Sequence, residues 1–86
     1  MFAKKATASE SCDKISTLAK VIMKGRQDGI LLADVINSAN GFKLSKIIAI
    51  EAYKEPLFST VEHQKSAINE FSNQWYLVCL NSSVGK

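Results

Sequence analysis

Reactive side chains are few in this 86-residue sequence, and its two cysteines are the most informative of them. Cys12 and Cys79 lie near opposite ends of the chain and lack the spacing of a metal site. Such a pair is typical of a disulfide, and therefore of an oxidising compartment. The bridge would contribute about 4 kcal/mol in the chain-entropy model. The alternative is two buried thiols in a cytosolic protein, because free cysteine is a common core residue.

Residues for catalysis or metal binding do not accompany the cysteines. His63 is the only histidine, and one histidine cannot complete the usual zinc set when both thiols are bridged. Glu51 and Glu55 lie four residues apart, but acid–base carboxylates need different environments, and Lys54 indicates a solvated one. We therefore expect no catalytic residue, no cofactor, no metal and no enzymatic activity.

Charge and hydropathy exclude two further classes of function. The net charge is +3, from 11 basic and 8 acidic residues, and only Phe2 is aromatic before Gly29. A nucleic-acid binder carries a denser basic stripe with interleaved aromatic residues, so we do not expect nucleic acid as a partner. No apolar run approaches the roughly 20 residues that cross a bilayer, so we expect no membrane span.

The amino-terminal residues indicate export. Residues 6–8 (ATA) have the small-x-small form of a signal-peptidase site, although no apolar stretch precedes them. Together with the cysteines they predict a periplasmic or secreted protein whose signal peptide is removed. The predicted organisation is a flexible amino-terminal remnant (1–8), a single helical domain (9–81) and a flexible tail (82–86).

The apolar pattern predicts four helices. The first begins at a serine cap, Ser9 or Ser11, and ends at Gly29 in a left-handed conformation. Its stripe has the 3.6-residue period and contains Cys12, Ile15, Ala19 and Ile22, widened by Leu18 and Met23. Helices over 30–39 and 44–54 follow, the latter ended by Pro56. A capping box of Ser59 and Glu62 opens the fourth, which ends near Asn81.

These elements predict an all-α fold, a compact four-helix orthogonal bundle closed by one disulfide. Cys12 begins the first helix and Cys79 ends the fourth, so a bridge requires these two helices to pack side by side and antiparallel. The alternative is an α+β fold with short strands near 47–50 (IIAI) and 75–80 (WYLVCL), because both segments are rich in strand-forming residues.

Binding is the function that the remaining residues favour. The first helix ends in an arginine and a glutamine, an apolar-aromatic corner joins the third and fourth helices, and one tyrosine faces away from the core stripe. The candidate interface residues are Arg26, Gln27, Tyr53, Pro56, Phe58 and Tyr76. Two structural roles compete with this interpretation. Arg26 can bond carbonyls or pair with an acid, and the corner can be a hydrophobic plug.

The order of several residues resembles that in a group of small exported proteobacterial and phage-borne proteins. The pattern comprises Cys12, Ala19, Met23, RQDG (26–29), EAYKEP (51–56), Phe71, Tyr76 and Cys79. It covers roughly residues 12–79, nearly the whole chain. The resemblance implies a secreted, disulfide-closed helical domain whose members begin with a signal peptide. Because the group has no settled activity, it assigns no functional residue.

The sequence thus favours a non-enzymatic periplasmic domain that binds another protein, such as an immunity protein or an inhibitor of a secreted or phage enzyme. Two alternatives stay open. One is a periplasmic stress chaperone, although a single histidine gives little response to pH. The other is a cytoplasmic phage accessory protein that blocks a host nucleic-acid machine, which would require free thiols.

Overall fold

The computed structural model describes residues 7–38 and 43–84, and these residues form four α-helices and no strand. In chain order the helices are α1 (Thr7–Gln27), α2 (Leu32–Ser38), α3 (Lys43–Ala52) and α4 (Val61–Val84). The all-α prediction is confirmed. Segment 47–50 lies within α3 and segment 75–80 within α4, so the alternative with short strands is wrong. The helical period of the longer apolar stripes outweighs the local strand propensity of both segments.

The stripe predicted for α1 is its buried face. Cys12, Ala19, Ile22 and Met23 are buried, and Ile15 and Leu18 pack against the same core. The spacing of three and four residues places them on one side of the helix. The exposed lysines of α1 lie between them, as expected for an amphipathic helix.

Helix α1 ends at Gln27, and Gly29 is the stop signal that follows it, as predicted. Gly29 has a φ of 86°, in the left-handed region that favours glycine. The Ile30 N–H donates to the Gly25 carbonyl at 3.0 Å, and the Gly29 N–H donates to the Arg26 carbonyl at 3.1 Å. This pair of hydrogen bonds is a Schellman motif, which satisfies carbonyls that the helix end would leave unpaired.

The two short helices differ from the prediction at their ends. Helix α2 starts at Leu32, because Ile30 is already engaged in closing α1 and Leu31 accepts the first hydrogen bonds of α2. The predicted end at Ala39 lies outside the described residues. Helix α3 ends at Ala52 because the hydrogen-bond spacing changes there from four residues to three. The Lys54 N–H donates to the Glu51 carbonyl, three residues back.

The start of α4 differs from the predicted capping box. Thr60, rather than Ser59, is the cap, and its Oγ1 accepts a hydrogen bond from the His63 backbone N–H at 3.1 Å. The Thr60 carbonyl accepts from the Gln64 N–H at 2.9 Å, which is the first bond of the helix. His63, and not Glu62, therefore occupies the third helical position. A threonine caps nearly as well as a serine, so the adjacent pair cannot be ranked by residue type alone.

Helix α1 contacts each of the other three helices, most extensively α4 and then α3. The core consists of residues from these three helices: Ala19, Ile22, Met23, Ile48, Ala49, Ala52 and Phe71. A disulfide joins Cys12 to Cys79, with the two Cα atoms 5.5 Å apart. Further along α1, the Ser16 and Ser72 hydroxyls lie 3.1 Å apart, so α1 and α4 run antiparallel as predicted.

The helical part is longer at both ends than the predicted domain 9–81. Helix α1 already includes residues 7 and 8, and α4 continues through residues 82–84. The predicted remnant and tail therefore overlap the helices. Residues 1–6, 85 and 86 lie outside the described residues.

Candidate functional site

Arg26 lies at the corner where α1 meets the α3–α4 connection. Its Nε donates a hydrogen bond to the Glu55 carbonyl at 3.0 Å, and its guanidinium lies 5.2 Å from the centre of the Tyr53 ring. Arg26 therefore bonds a backbone carbonyl, that of Glu55, and not a carboxylate. Together, the cation–π contact and the hydrogen bond fix the end of α3 against α1.

Tyr53 joins the same corner to the connection between α1 and α2. Its hydroxyl donates to the Ile30 carbonyl, which lies just after the turn that closes α1. Burial raises the pKa of Tyr53 above its ordinary value, the Arg26 cation opposes this rise, and the Asp34 carboxylate adds to it. The neutral phenol is therefore favoured, and the neutral phenol is the form that can donate this hydrogen bond.

Gln27 is used inside the fold. Its side chain is only 4% exposed. The amide nitrogen donates to the Pro56 carbonyl at 2.9 Å, and the amide oxygen accepts from the Phe58 N–H at 2.9 Å. Gln64 of α4 donates to the Phe58 carbonyl at 2.8 Å. The Gln27 amide is buried and makes a hydrogen bond with both its nitrogen and its oxygen. Gln27 therefore positions the α3–α4 connection, and its amide groups are used within the fold.

The structure brings five of the six candidate interface residues together. The corner contains Arg26, Gln27, Tyr53, Pro56 and Phe58. Tyr76 lies apart from them, since its position on α4 is about 24 Å beyond Thr60 at 1.5 Å per residue. One continuous surface therefore does not include all six residues.

A groove between α3 and α4 begins at this corner. Both helices pack on α1 but make few direct contacts with each other. The opening between them consists of two adjoining clefts, of about 220 Å³ and 320 Å³. The clefts share Glu55, Phe71 and Gln74, so they form one groove. From His63 to Val78 it follows α4 for about 22 Å at 1.5 Å per residue.

The floor of the groove is apolar. Met23 of α1 and Phe71 of α4 are buried beneath it, and Trp75 packs against Phe71 with the ring centres 6.3 Å apart in an edge-to-face arrangement. At the end far from the corner, Ile47 is 49% exposed and Val78 is 52% exposed. These two side chains present apolar surface to solvent on opposite walls.

The walls of the groove are acidic. Glu51 and Glu55 line it from the α3 side and Glu70 from α4. Lys54 pairs with Glu51 at 3.1 Å, whereas neither Glu55 nor Glu70 forms an ion pair with another described residue. The whole chain has a net charge of +3, so the acidic lining of the groove has the opposite sign to the net charge of the molecule.

His63 lies at the corner end of the groove, where it has a structural role. Its Nδ1 lies 2.8 Å from the Thr60 hydroxyl, and its ring lies 5.8 Å from the Phe58 ring. Glu55 and Glu70 line the same cleft. Within residues 7–38 and 43–84, no group of three or more His, Cys, Asp or Glu side chains is arranged to hold a metal ion.

A second cleft, of about 420 Å³, lies between α1 and α2. Its lining is mostly aliphatic, and Val21 and Ile30 are 62% and 45% exposed there. Asp34 is the one charged residue among those that line it. Ser38 and Ser45 line its edge.

Sequence reasoning found the corner and missed the groove. The apolar pattern assigns Ile47 to the core stripe of the third helix and Val78 to that of the fourth, but the structure leaves them 49% and 52% exposed in the groove. Helical periodicity viewed one helix at a time therefore predicts both side chains to be buried. The packing of both α3 and α4 against α1 brings them to one groove.

No protein-family model matches this chain, and no curated protein or solved structure does either. The resemblance to small exported proteins therefore stays a prediction. Among the helices that the structure describes, none is long and apolar enough to cross a membrane.

Proposed function

We propose that this chain is an exported, non-enzymatic domain that binds another protein through the groove between α3 and α4. Its activity would be that of an inhibitor or immunity protein for a secreted or phage enzyme. The observation that carries the proposal is the groove itself, an apolar floor open to solvent between two helices that are both anchored on α1.

The form of the groove suits a protein better than a small molecule. Small-molecule sites are enclosed cavities that bury most of their ligand. This groove is long and open, with apolar side chains at its centre and carboxylates along its edges. An apolar centre with a polar rim is the usual anatomy of a protein–protein interface.

The corner supports the proposal by holding one end of the groove in place. Gln27 fixes the Pro56–Phe58 segment, and Arg26 fixes Glu55 and Tyr53. A binding surface that is ordered before the partner arrives loses less conformational entropy on association. In this account Arg26, Gln27 and Tyr53 are positioning residues, while Phe58 and Glu55 reach the groove itself.

Export is supported by the disulfide. A bridge between Cys12 and Cys79 forms and persists in oxidising compartments and is rare in the cytosol. The resemblance of the sequence to exported proteins points in the same direction. Counting free thiols in protein alkylated directly inside cells tests this point, and two alkylated cysteines would contradict export.

Two matched valine substitutions on α4 test the groove. Val78 lies in the groove and Val61 lies outside it, with exposed fractions of 52% and 65%. Immobilised wild-type protein, Val78→Lys and Val61→Lys are each exposed to periplasmic extract. We expect a stoichiometric partner on the wild type and on Val61→Lys, and its loss on Val78→Lys.

The isolated partner then completes the test. An enzyme whose activity falls on addition of the wild-type protein, and recovers when Val78→Lys replaces it, supports inhibition. Equal capture by both lysine variants, with helical content unchanged in circular dichroism, would show that the groove is not the binding site.

A further inference from the structure

We propose that the groove between α3 and α4 takes a cationic amphipathic helix of the partner protein. This inference rests on the proposed function and adds to it the chemistry of the partner. It is carried by the placement of carboxylates on both walls of an apolar floor.

Charge complementarity sets the sign of the partner. Glu55 on one wall and Glu70 on the other are not paired with described cations, and Glu51 is partly compensated by Lys54. A ligand lying between these walls meets negative charge on both flanks. A partner helix with Lys or Arg side chains along both sides would complement this negative charge, whereas a helix with acidic side chains there would be repelled.

The floor sets the apolar face of the partner. Phe71, Trp75 and Val78 follow one another along α4, and Ile47 faces them from α3. The groove length of about 22 Å corresponds to about four turns of helix. A partner helix with apolar residues at i, i+3 or i+4, and i+7 would place its anchors along this floor.

The walls favour a helix over an extended peptide. An extended peptide gains affinity by pairing its backbone with the edge of a sheet, and the described residues provide no strand for such pairing. The N–H and C=O groups of an extended segment would stay unpaired against the apolar floor. A helix satisfies its own backbone groups, so it can lie on this floor without that penalty.

Synthetic peptides test the inference directly. Two 16-residue helical peptides share one leucine face, and carry either lysine or glutamate on the remaining positions. Trp75, the only tryptophan of the chain, reports binding by its fluorescence. We expect saturable binding of the lysine peptide, no detectable binding of the glutamate peptide, and about tenfold weaker binding between 0.02 and 0.3 M salt because exposed charges are screened.

Charge-matched variants separate the groove from the rest of the surface. Glu55→Gln/Glu70→Gln removes two carboxylates from the groove, and Asp13→Asn/Glu62→Gln removes two from other exposed sites. We expect the first pair to weaken binding of the lysine peptide about tenfold and the second pair to change it less than twofold. Equal weakening by both pairs would overturn the inference, since attraction to net charge alone would then explain the binding.

The outcomes distinguish this inference from the proposed function. If the glutamate peptide binds as well as the lysine peptide and Val78→Lys abolishes both, the cationic partner is wrong and the groove remains a binding site. If neither peptide binds, the inference is overturned. The proposed function is then still decided by whether Val78→Lys loses the partner from periplasmic extract that Val61→Lys retains. Binding of anionic lipid vesicles in place of the lysine peptide would also overturn the inference.

Discussion

At the scale of single residues, the Gln27 amide is the contact that joins α1 to the segment opening α4. It satisfies two backbone groups of the connection, the Pro56 carbonyl and the Phe58 N–H, with one planar side chain. Neither group belongs to a helix, so both depend on this side chain for a partner inside the protein. Gln27 therefore stabilises the corner of the groove together with Arg26, Tyr53 and Gln64.

Replacing Gln27 by leucine should lower the free energy of unfolding by roughly 2–3 kcal/mol, because two part-buried backbone groups lose their partner. Gln74 is an exposed glutamine on α4, and Gln74→Leu should change stability by less than about 0.5 kcal/mol. Urea unfolding followed by circular dichroism measures both. Similar losses for the two variants would show that the Gln27 hydrogen bonds contribute little.

Tyr53→Phe removes the hydroxyl that donates to the Ile30 carbonyl, and should lower stability by about 1 kcal/mol at neutral pH. Burial raises the pKa of Tyr53, so the folded protein keeps the phenolic proton more tightly than the unfolded chain does. The resulting stability is complete below the unfolded pKa of about 10 and is lost as pH rises through the folded pKa.

The stability difference between wild type and Tyr53→Phe should therefore shrink as pH rises above about 10. Urea unfolding at several pH values between 8 and 11 measures this difference. Tyr76→Phe is the matched control, for which we expect no such change. A wild-type advantage over Tyr53→Phe that is constant across this range would contradict the assignment.

At the scale of the helices, the end of α1 contains two glycines with opposite requirements. A Cβ on Gly25 would lie 3.7 Å from the Ile30 Cδ1 and 4.0 Å from the Val35 Cγ2, which are ordinary contacts. Gly29 has open space around it but a φ of +86°, which a side chain would strain. Replacement by alanine is therefore expected to stabilise the protein at Gly25, where there is space, and to destabilise it at Gly29, where the backbone conformation disfavours a side chain.

Gly25→Ala should raise the free energy of unfolding by about 0.5–1 kcal/mol, because alanine has the higher helix propensity and restricts the unfolded chain. Gly29→Ala should lower it by about 1–2 kcal/mol, the strain of a left-handed residue. Thermal unfolding of the two variants and the wild type measures both effects. Shifts of the same sign would contradict this account of the helix end.

The cap of α4 gives a second matched pair. Thr60→Ala removes the acceptor of the His63 N–H and should lower stability by about 1 kcal/mol. Ser59→Ala should change it by less than about 0.5 kcal/mol, because Ser59 lies before the cap. Urea midpoints of the two variants test the position of the cap. A larger loss for Ser59→Ala would restore the capping box predicted from the sequence.

The contrast between these elements shows what the sequence could predict. The core stripe of α1, the stop at Gly29 and the pairing of Cys12 with Cys79 depend on local pattern or covalent chemistry, and the structure confirms them. The cap at Thr60 was missed because two neighbouring residues were both suitable. The groove was missed because it depends on where α3 and α4 pack relative to α1, which helical periodicity does not determine.

At the scale of the whole molecule, the disulfide is the longest-range tie. It joins residues 67 apart in sequence, and Cys12 is fully buried at the α1–α4 contact. In the chain-entropy model a loop of this length stabilises the folded state by about 4 kcal/mol. A domain of this size hides only about 60–65% of its unfolded surface, so this contribution is large relative to the total.

Cys12→Ala/Cys79→Ala should therefore lower the free energy of unfolding by about 4 kcal/mol, within the range of 2–5 kcal/mol seen for small secreted domains. Reduction of the wild-type protein should lower its urea midpoint to nearly that of the double variant. The same reductant should leave the double variant unchanged. A midpoint that does not move on reduction would show that helix packing alone holds the fold.

The bridge also turns residues 12–79 into a closed covalent ring that contains α2, α3 and most of α1 and α4. Hydrolysis of any one peptide bond inside this ring opens it without releasing a fragment. Both pieces stay joined at the α1–α4 contact, and only reductant separates them on a gel. The disulfide thus keeps the chain a single molecule after a first cut in one connecting loop.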